Sequence, residues 1–294
     1  MKILITGGTG LIGRHFIRAF QQPYQFTVLS RDIERARQCL PESVEFIDKL
    51  PEQNNFEAII NLAGEPIVDK RWTGSQKEKI CQSRWHLTEQ IIEMIKRSEH
   101  KPQCLISGSA IGYYGDTGTK KVIEDTLVDK ADFARSLCLK WEDIALKASK
   151  DCRVVLLRTG IVLANDGGAL AKMHLPFSLG LGGKIAHGQQ YMSWIHIEDM
   201  VRAIQFSLLS TTITGAINCT SPQALTNAEF TKALGKQLNR PTFFTVPAFM
   251  LKTLLGEGAE LLLCSQNVYP QKLLSHDFEF NHASIENTLK DLLS

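Results

Sequence analysis

The sequence predicts a doubly wound, parallel α/β sheet followed by a small, mostly helical lobe. Three observations carry the prediction. Apolar, strand-like runs alternate with helical patterns through the first half of the chain. A knot of glycines, TGGTGLIG at 6–13, sits between the first run and the first helical pattern. Beyond Pro241 the pattern changes to short helical stretches cut by Pro247, Gly256, Gly258 and Pro270. Repeated strand–helix–strand units whose strands are apolar throughout fit a parallel sheet covered on both faces.

The elements follow in order. Residues 2–6 are apolar and β-prone, and 11–20 carry apolar residues at helical spacing. A second strand at 26–30 leads to a helix at 33–40, which Asp32 can cap by accepting backbone N–H bonds. FEAIINL at 56–62 is a buried-strand pattern, and 75–97 is one long helix with Ile80, Leu87, Ile91, Met94 and Ile95 towards a core. A strand at 104–107, a helix at 133–148 and a strand running into a loop at 153–163 complete the alternation. The stretch 166–190 is rich in glycine and reads as a loop with one short helical piece. YMSWIHIEDMVRAIQFSLL then predicts a strand and a helix with Asp199 as its cap, AINCTS a last strand, and 226–238 a helix.

Composition narrows the function classes. At 294 residues and 44% hydrophobic content the chain can bury a core without disulfides. A net charge of +2 with both signs interspersed gives no basic stripe for nucleic acid or for an acidic membrane surface. Seven dispersed cysteines, with no CxxC pair and no matching histidine spacing, fit reduced thiols better than a disulfide framework or a metal site. No apolar run approaches the roughly 18 residues of a membrane span, and no signal peptide precedes the first strand. The expected setting is the cytoplasm, with a small-molecule substrate as partner and no nucleic acid or membrane.

The glycine knot is the most informative motif. It satisfies GxGxxG between a strand and a helix: one glycine for the tight turn, one for close approach of the backbone to a pyrophosphate, one for helix–strand packing. Gly7, Thr9, Gly10, Leu11, Ile12 and Gly13 are therefore expected to hold a dinucleotide at the helix N-terminus. An NAD site needs a carboxylate at the end of the second strand, whereas an NADP site needs a cation. That strand ends in Ser30 and Arg31, with Asp32 displaced towards the helix, so NADP(H) is the expected cofactor.

Several stretches resemble one family. TGGTGLIG, NLAG at 61–64, SGSAIGYYG at 107–115, RTGIVL at 158–163 and WIHIEDM at 194–200 occur in the order seen in extended short-chain dehydrogenases/reductases of the NAD-dependent epimerase/dehydratase type. NLAGEPI, KRW at 70–72, CQSRW at 81–85 and LPFSLGLGGKI at 175–185 are similar to an atypical bacterial, YfcH-like branch of that family. The resemblance implies a Rossmann-type NADP-binding domain at 1–222, with 166–190 as a substrate-side loop insertion. It also implies a small C-terminal domain of unknown function at 223–294, and a monomer or homodimer. Asn61, Leu62, Ala63 and Gly64 resemble positions on the cofactor side.

The family's chemistry uses a Ser or Thr, a Tyr, and a Lys four residues after the Tyr, as an acid–base relay beside the nicotinamide. Ser109 matches the serine, but the resemblance places Ala134 at the tyrosine and Cys138 at the lysine. Arg84 stands in place of an asparagine on the long helix, where it can bind pyrophosphate or an acidic substrate. The remaining candidates for a proton donor are Tyr113 and Tyr114, which follow the serine strand. Lys140, His196 and Cys138 read as an off-face cation, a core histidine and a packed thiol. Phe177 and Leu181 are expected to wall an apolar pocket, together with Trp72 and Trp85. Two functions remain open: an NADP(H)-dependent oxidoreductase or epimerase acting on a small carbonyl or alcohol, and a non-catalytic NADP(H)-binding redox sensor or protein-interaction module.

Overall fold

The computed structural model of the protein describes residues 1–128 and 132–294. The first half runs β1 (Lys2–Thr6), α1 (Leu11–Phe20), β2 (Gln25–Leu29), α2 (Ile33–Cys39), β3 (Glu45–Ile47), β4 (Ala58–Asn61), α3 (Gly74–Arg97) and β5 (Cys104–Ala110). A short 3-10 turn, Ile111–Tyr114, leads to β6 (Lys121–Val122), α4 (Phe133–Leu146), β7 (Arg153–Thr159) and β8 (Ile161–Ala164). Then come α5 (Gly168–Ser178), β9 (Gly183–Ile185), β10 (Tyr191–Met192), β11 (Trp194–His196), α6 (Ile197–Leu209) and β12 (Gly215–Cys219). The chain ends with β13 (Leu225–Thr226), α7 (Asn227–Gln237), β14 (Phe244–Val246), α8 (Ala248–Leu255), α9 (Glu260–Leu263), β15 (Asn267–Val268), α10 (Gln271–Ser275) and α11 (Ile285–Leu293).

Seven strands form one parallel sheet in the order β12-β7-β5-β4-β1-β2-β3. The order reverses direction at β1, between β2 and β4, which is the switch point where doubly wound sheets open a crevice at their carboxyl ends. Alternation along β1 shows why both faces are covered. Ile3 and Ile5 join a core with Phe16 and Ile17 of α1 and Ile204 of α6, while Leu4 joins Ile91 and Ile95 of α3 and Ile144 of α4. The doubly wound fold expected from the alternation is the fold observed.

Side-chain caps set several helix starts. Asp32 accepts the Arg35 N–H at 3.0 Å, as expected, and Thr73 and Asp132 cap α3 and α4 in the same way. Asp199 does not follow that expectation. The cap of α6 is His196, whose Nδ1 accepts the Glu198 N–H at 3.0 Å. Asp199 is fully buried and instead accepts the backbone N–H groups of Asn281 and His282, both at 2.9 Å, which ties the segment before α11 to α6.

The stretch 166–190 is more ordered than a loop with one short helical piece. It holds the 11-residue α5, and β9 pairs in parallel with β14 across 60 residues of sequence. Further pairings of β13 with β10 and of β15 with β6 stitch the C-terminal segments onto the carboxyl end of the sheet. Those segments roof the crevice.

Candidate functional site

The crevice begins at the glycines. Gly7 leaves β1 with φ +70°, and a Cβ there would stand 2.7 Å from the Leu62 carbonyl carbon, so only glycine lets the turn pass the end of β4. Gly13, in the first turns of α1, sits so close to the same loop that a Cβ would come within 2.4 Å of the Gly7 carbonyl oxygen. Gly10 caps α1 with no side-chain hydrogen bond, and the first turn has no acidic residue. The helix therefore presents free N–H groups and its positive end to the crevice with no competing side chain. This is a fit for a pyrophosphate: an open cradle that Cβ atoms would close.

From the cradle a cavity of about 580 Å³ runs across the ends of β4, β5 and β7. Gly7, Gly10, Leu11, Ile12, Gly13 and Leu62 line its first part. Ser109, Ala134, Cys138 and Trp141 lie on its floor, while Met173, Ile185, Tyr191, Met192, Leu261 and Leu262 line it from the substrate-side segments. Ala134 and Cys138 line this cavity. Neither supplies a proton: Ala134 has no polar atom, and burial pushes the Cys138 thiol up to about 12.

Ser109 is held from behind. Its hydroxyl donates to Glu142 Oε1 at 2.6 Å, so its lone pairs, not its proton, are turned to other partners. Glu142 in turn receives Arg158 through two bonds of 2.9 Å, Nε to Oε1 and Nη2 to Oε2. Arg158 completes its donors with the Tyr114 hydroxyl at 3.0 Å and the Glu124 carbonyl at 2.9 Å. Burial opposes the charge on Arg158, but the hydrogen bonds and field of Glu142 outweigh it and raise its pKa. Neither Arg158 nor Glu142 was among the expected site residues. The available signal was Arg158, a cation after the apolar run VVLL in the strand RVVLLRT.

Tyr113 and Tyr114 are not among the residues that line the cavity. The 3-10 turn buries Tyr114 against Val122 and Val268, where its hydroxyl donates to Asn218 Oδ1 at 2.8 Å while accepting from Arg158, and burial pushes its pKa up to about 12. Tyr113 stacks on the same guanidinium, 3.3 Å from its ring centre.

The other expected residues divide in the same way. Asn61 is buried and internal: its Oδ1 accepts the Thr6 hydroxyl at 2.6 Å and its Nδ2 donates to Thr88 Oγ1 at 2.9 Å. Leu62 lines the cavity; Ala63, Gly64 and Thr9 do not. Gly64 instead makes room for Arg84, whose guanidinium carbon would be 2.7 Å from a Cβ there. Arg84 does line the cavity, donating to the Ile80 carbonyl at 3.0 Å and the Glu65 carbonyl at 3.1 Å, and burial lowers its pKa. Ser30 closes a local turn by donating to the Asp32 carbonyl at 2.9 Å, and Arg31 is exposed beyond β2, where its charge helps to lower the Glu65 pKa behind the stronger Lys70 hydrogen bond.

The expected pocket wall also changes. Phe177 packs into the core and Leu181 is exposed. Trp72 and Trp85 lie behind the cavity, their indole N–H groups donating to the Ile67 and Leu137 carbonyls. Lys140 turns away to lie 4.0 Å from the Trp85 ring centre. One group among the described residues has metal-ligand proximity, His196, Glu198 and His282. The two rings stack at 3.7 Å. Because His196 Nδ1 accepts a backbone N–H, its proton sits on Nε2, pointed at Asp291 Oδ2 3.2 Å away, so that nitrogen has no lone pair for an ion.

Comparison with known proteins agrees with this geometry. The NAD dependent epimerase/dehydratase family model matches residues 3–219, and a domain of unknown function (DUF1731) matches 246–292. The chain is 36% identical over 303 residues to the chloroplastic epimerase family protein SDR39U1 homolog of Arabidopsis thaliana, covering all of this chain and 87% of the relative. Human epimerase family protein SDR39U1, crystallised with NADPH, superposes with a TM-score of 0.91 at 30% identity over 99% of both chains. A nucleoside-diphosphate sugar epimerase from Corynebacterium glutamicum superposes with a TM-score of 0.81 at 28% identity, covering this whole chain and 58% of that one. On the match of more than two thirds of its length, with the glycine cradle at a sheet switch point, the chain belongs to the NAD-dependent epimerase/dehydratase family.

Proposed function

We propose that this protein binds NADP(H) across the switch point and acts as an oxidoreductase on a small carbonyl or alcohol held in the adjoining chamber. The observation that carries this reading is continuity: the cradle of Gly7, Gly10 and Gly13 opens directly into a partly open, largely apolar space that contains Ser109. The solved SDR39U1 relative with NADPH supports the choice of cofactor. When bound, NADP(H) supplies or accepts the hydride. The chain's own contribution begins with the α1 N–H groups, which hold the pyrophosphate. Arg31, free of any hydrogen-bonded partner among the described residues, and Ser30 take the 2′-phosphate at the end of β2. Arg84 supplies a fixed cation beside Leu62 and Trp141. Ser109, its proton committed to Glu142, accepts a hydrogen bond from a substrate hydroxyl. Residues 1–222 form the dinucleotide domain and 223–294 the lobe that closes the chamber, in a cytoplasmic monomer or homodimer.

One observation favours the second reading, a non-catalytic NADP(H) sensor: Ala134 and Cys138 leave the usual relay positions without a titrating group near neutral pH. The two readings share cofactor binding and differ in turnover. Fluorescence titration tests the shared part. NADPH binds more tightly than NADH, and Arg31→Asp weakens NADPH by about 2 kcal/mol, or roughly 30-fold, with NADH unchanged. Equal NADPH affinity in the variant removes Arg31 from the site. Consumption of NADPH with a carbonyl substrate then selects the enzyme, and its absence across a broad carbonyl panel selects the sensor.

A further inference from the structure

The chamber beyond the cradle has a definite chemistry. A nucleotide-sugar substrate carries a diphosphate, and burying that charge requires cations or unpaired helix N–H groups to meet it. Among the described residues lining the cavity, the only cationic side chain is Arg84. It stands at the Leu62 and Gly64 side, and two of its nitrogens are already spent on the Ile80 and Glu65 carbonyls.

Helix ends do not fill the gap. α7 starts at the chamber with Asn227, but the Asn227 and Ala228 N–H groups donate to the Gln190 and Gly188 carbonyls at 2.9 and 2.8 Å, and the Glu229 N–H is taken by the Thr226 side chain in a capping box that also puts a carboxylate there. α5 starts at the glycine end, with Gly168 close enough that a Cβ would meet Leu11 at 2.9 Å.

Asn227, Ser193 and Gln266 are committed as well. Asn227 Oδ1 accepts the Ile185 N–H at 2.7 Å and its Nδ2 donates to Met192 Sδ at 3.3 Å. The Ser193 hydroxyl donates to the Gln266 carbonyl at 2.8 Å, and Gln266 Nε2 donates to the Ile111 carbonyl at 3.1 Å. The Tyr191 hydroxyl differs: it has no hydrogen-bond partner among the described residues, while the backbone of Tyr191 is pinned on both sides. Its N–H donates to Ser265 Oγ and its carbonyl accepts the Gln266 N–H, both at 3.0 Å. Tyr191 lines the chamber together with Met173, Ile185, Met192, Leu261 and Leu262.

Resting on the reading that the cradle holds NADP(H), we infer that the substrate is an uncharged, largely apolar ketone, aldehyde or corresponding alcohol, not a nucleotide sugar, and that the Tyr191 hydroxyl donates a hydrogen bond to its oxygen. The thioethers of Met173 and Met192 adapt to its apolar body. Tyr191 is here a binding residue; its hydroxyl supports nothing else in the fold, so its removal leaves the structure intact.

The test is a calorimetric titration of the full-length protein, with and without saturating NADPH, using acetophenone, 2-octanone and UDP-glucose as probes. A ketone is expected to bind saturably, Tyr191→Phe to weaken it about fivefold with the NADPH affinity unchanged, and UDP-glucose to show no saturable binding at millimolar concentration. UDP-glucose binding as tightly as the ketones, failure of both ketones to bind, or an unchanged ketone affinity in the Tyr191→Phe protein would each overturn the inference. Failure of NADPH itself to bind, with ketone binding and its Tyr191 dependence intact, overturns the cofactor reading alone.

Discussion

Gly13→Ala probes the cradle most directly. The new Cβ would stand 2.4 Å from the Gly7 carbonyl oxygen and 2.7 Å from Gly8 Cα, both backbone atoms that no rotamer change can move. The first of these is about 1 Å short of an ordinary contact, so α1 must slide away from the β1–α1 turn by a comparable amount. Overpacking of this kind costs about 1–3 kcal/mol, partly offset by the better helix propensity of alanine, which leaves a net loss of about 1–2 kcal/mol in stability. The larger effect falls on the phosphate. Displacing the helix N–H groups by about 1 Å takes two charge-assisted hydrogen bonds out of range, or about 3 kcal/mol and a 100-fold rise in NADPH Kd. NADPH fluorescence titration gives the affinity and urea unfolding gives the stability. Gly74→Ala is the control, since a Cβ there meets nothing within 4 Å at the start of α3. A Gly13→Ala protein that binds NADPH within twofold of the parent would refute the assignment of this turn to the pyrophosphate.

Two further outcomes follow from buried charge. Glu142→Gln leaves Arg158 buried without its counter-charge and is expected to cost about 3–5 kcal/mol in urea unfolding, whereas Glu142→Leu combined with Arg158→Met recovers most of that loss; equal loss in both would place the effect in packing, not charge. The pH dependence of stability should carry the mark of His196, whose pKa is lowered by burial first and by the charge of the stacked His282 second, against the opposing pull of Asp291 and Asp199. The native state therefore binds fewer protons than the unfolded chain between the depressed value and about 6.5, so stability falls as the pH drops through that window. His196→Asn keeps a capping oxygen for α6 and flattens the slope; an unchanged slope in pH-resolved thermal unfolding removes His196 as its source.

What the sequence made legible was local. The glycine turn, the Asp32 cap and the alternation of β1 depend on neighbours within a few residues, and each reappears in the structure. Orientation set by tertiary packing was not legible. Tyr113 and Tyr114 follow the serine strand, yet whether a short 3-10 turn shows them to the crevice or to Arg158 depends on a strand 40 residues away. Asp199 has the composition of a cap, but its carboxylate serves a segment 80 residues later. Arg158 and Glu142 lie on different elements, and nothing at a spacing of 16 residues signals that they meet in a bidentate pair. Strands of two or three residues, such as β3, β9 and β14, exist because a partner strand holds them, and too few residues are present to show a period.

The residues at 138 and 84 are physically connected. Burial pushes the Cys138 thiol up, and the nearby Arg84 guanidinium opposes part of that rise by favouring a thiolate. A lysine at 138 would set a second cation against Arg84 in a poorly solvated corner, already crowded by Trp141, whose ring centre lies 5.4 Å from the guanidinium carbon. A lysine at 138 would therefore be disfavoured by repulsion from Arg84, which a small thiol avoids. Ala134 follows the same logic of space: a Cβ added at Gly112 would be 3.3 Å from the Ala134 Cβ, so the turn after β5 rests against α4 where a larger side chain would have to project. The cavity keeps one fixed cation, Arg84 from α3, and has hydroxyl groups from Ser109 and Tyr191 in its lining.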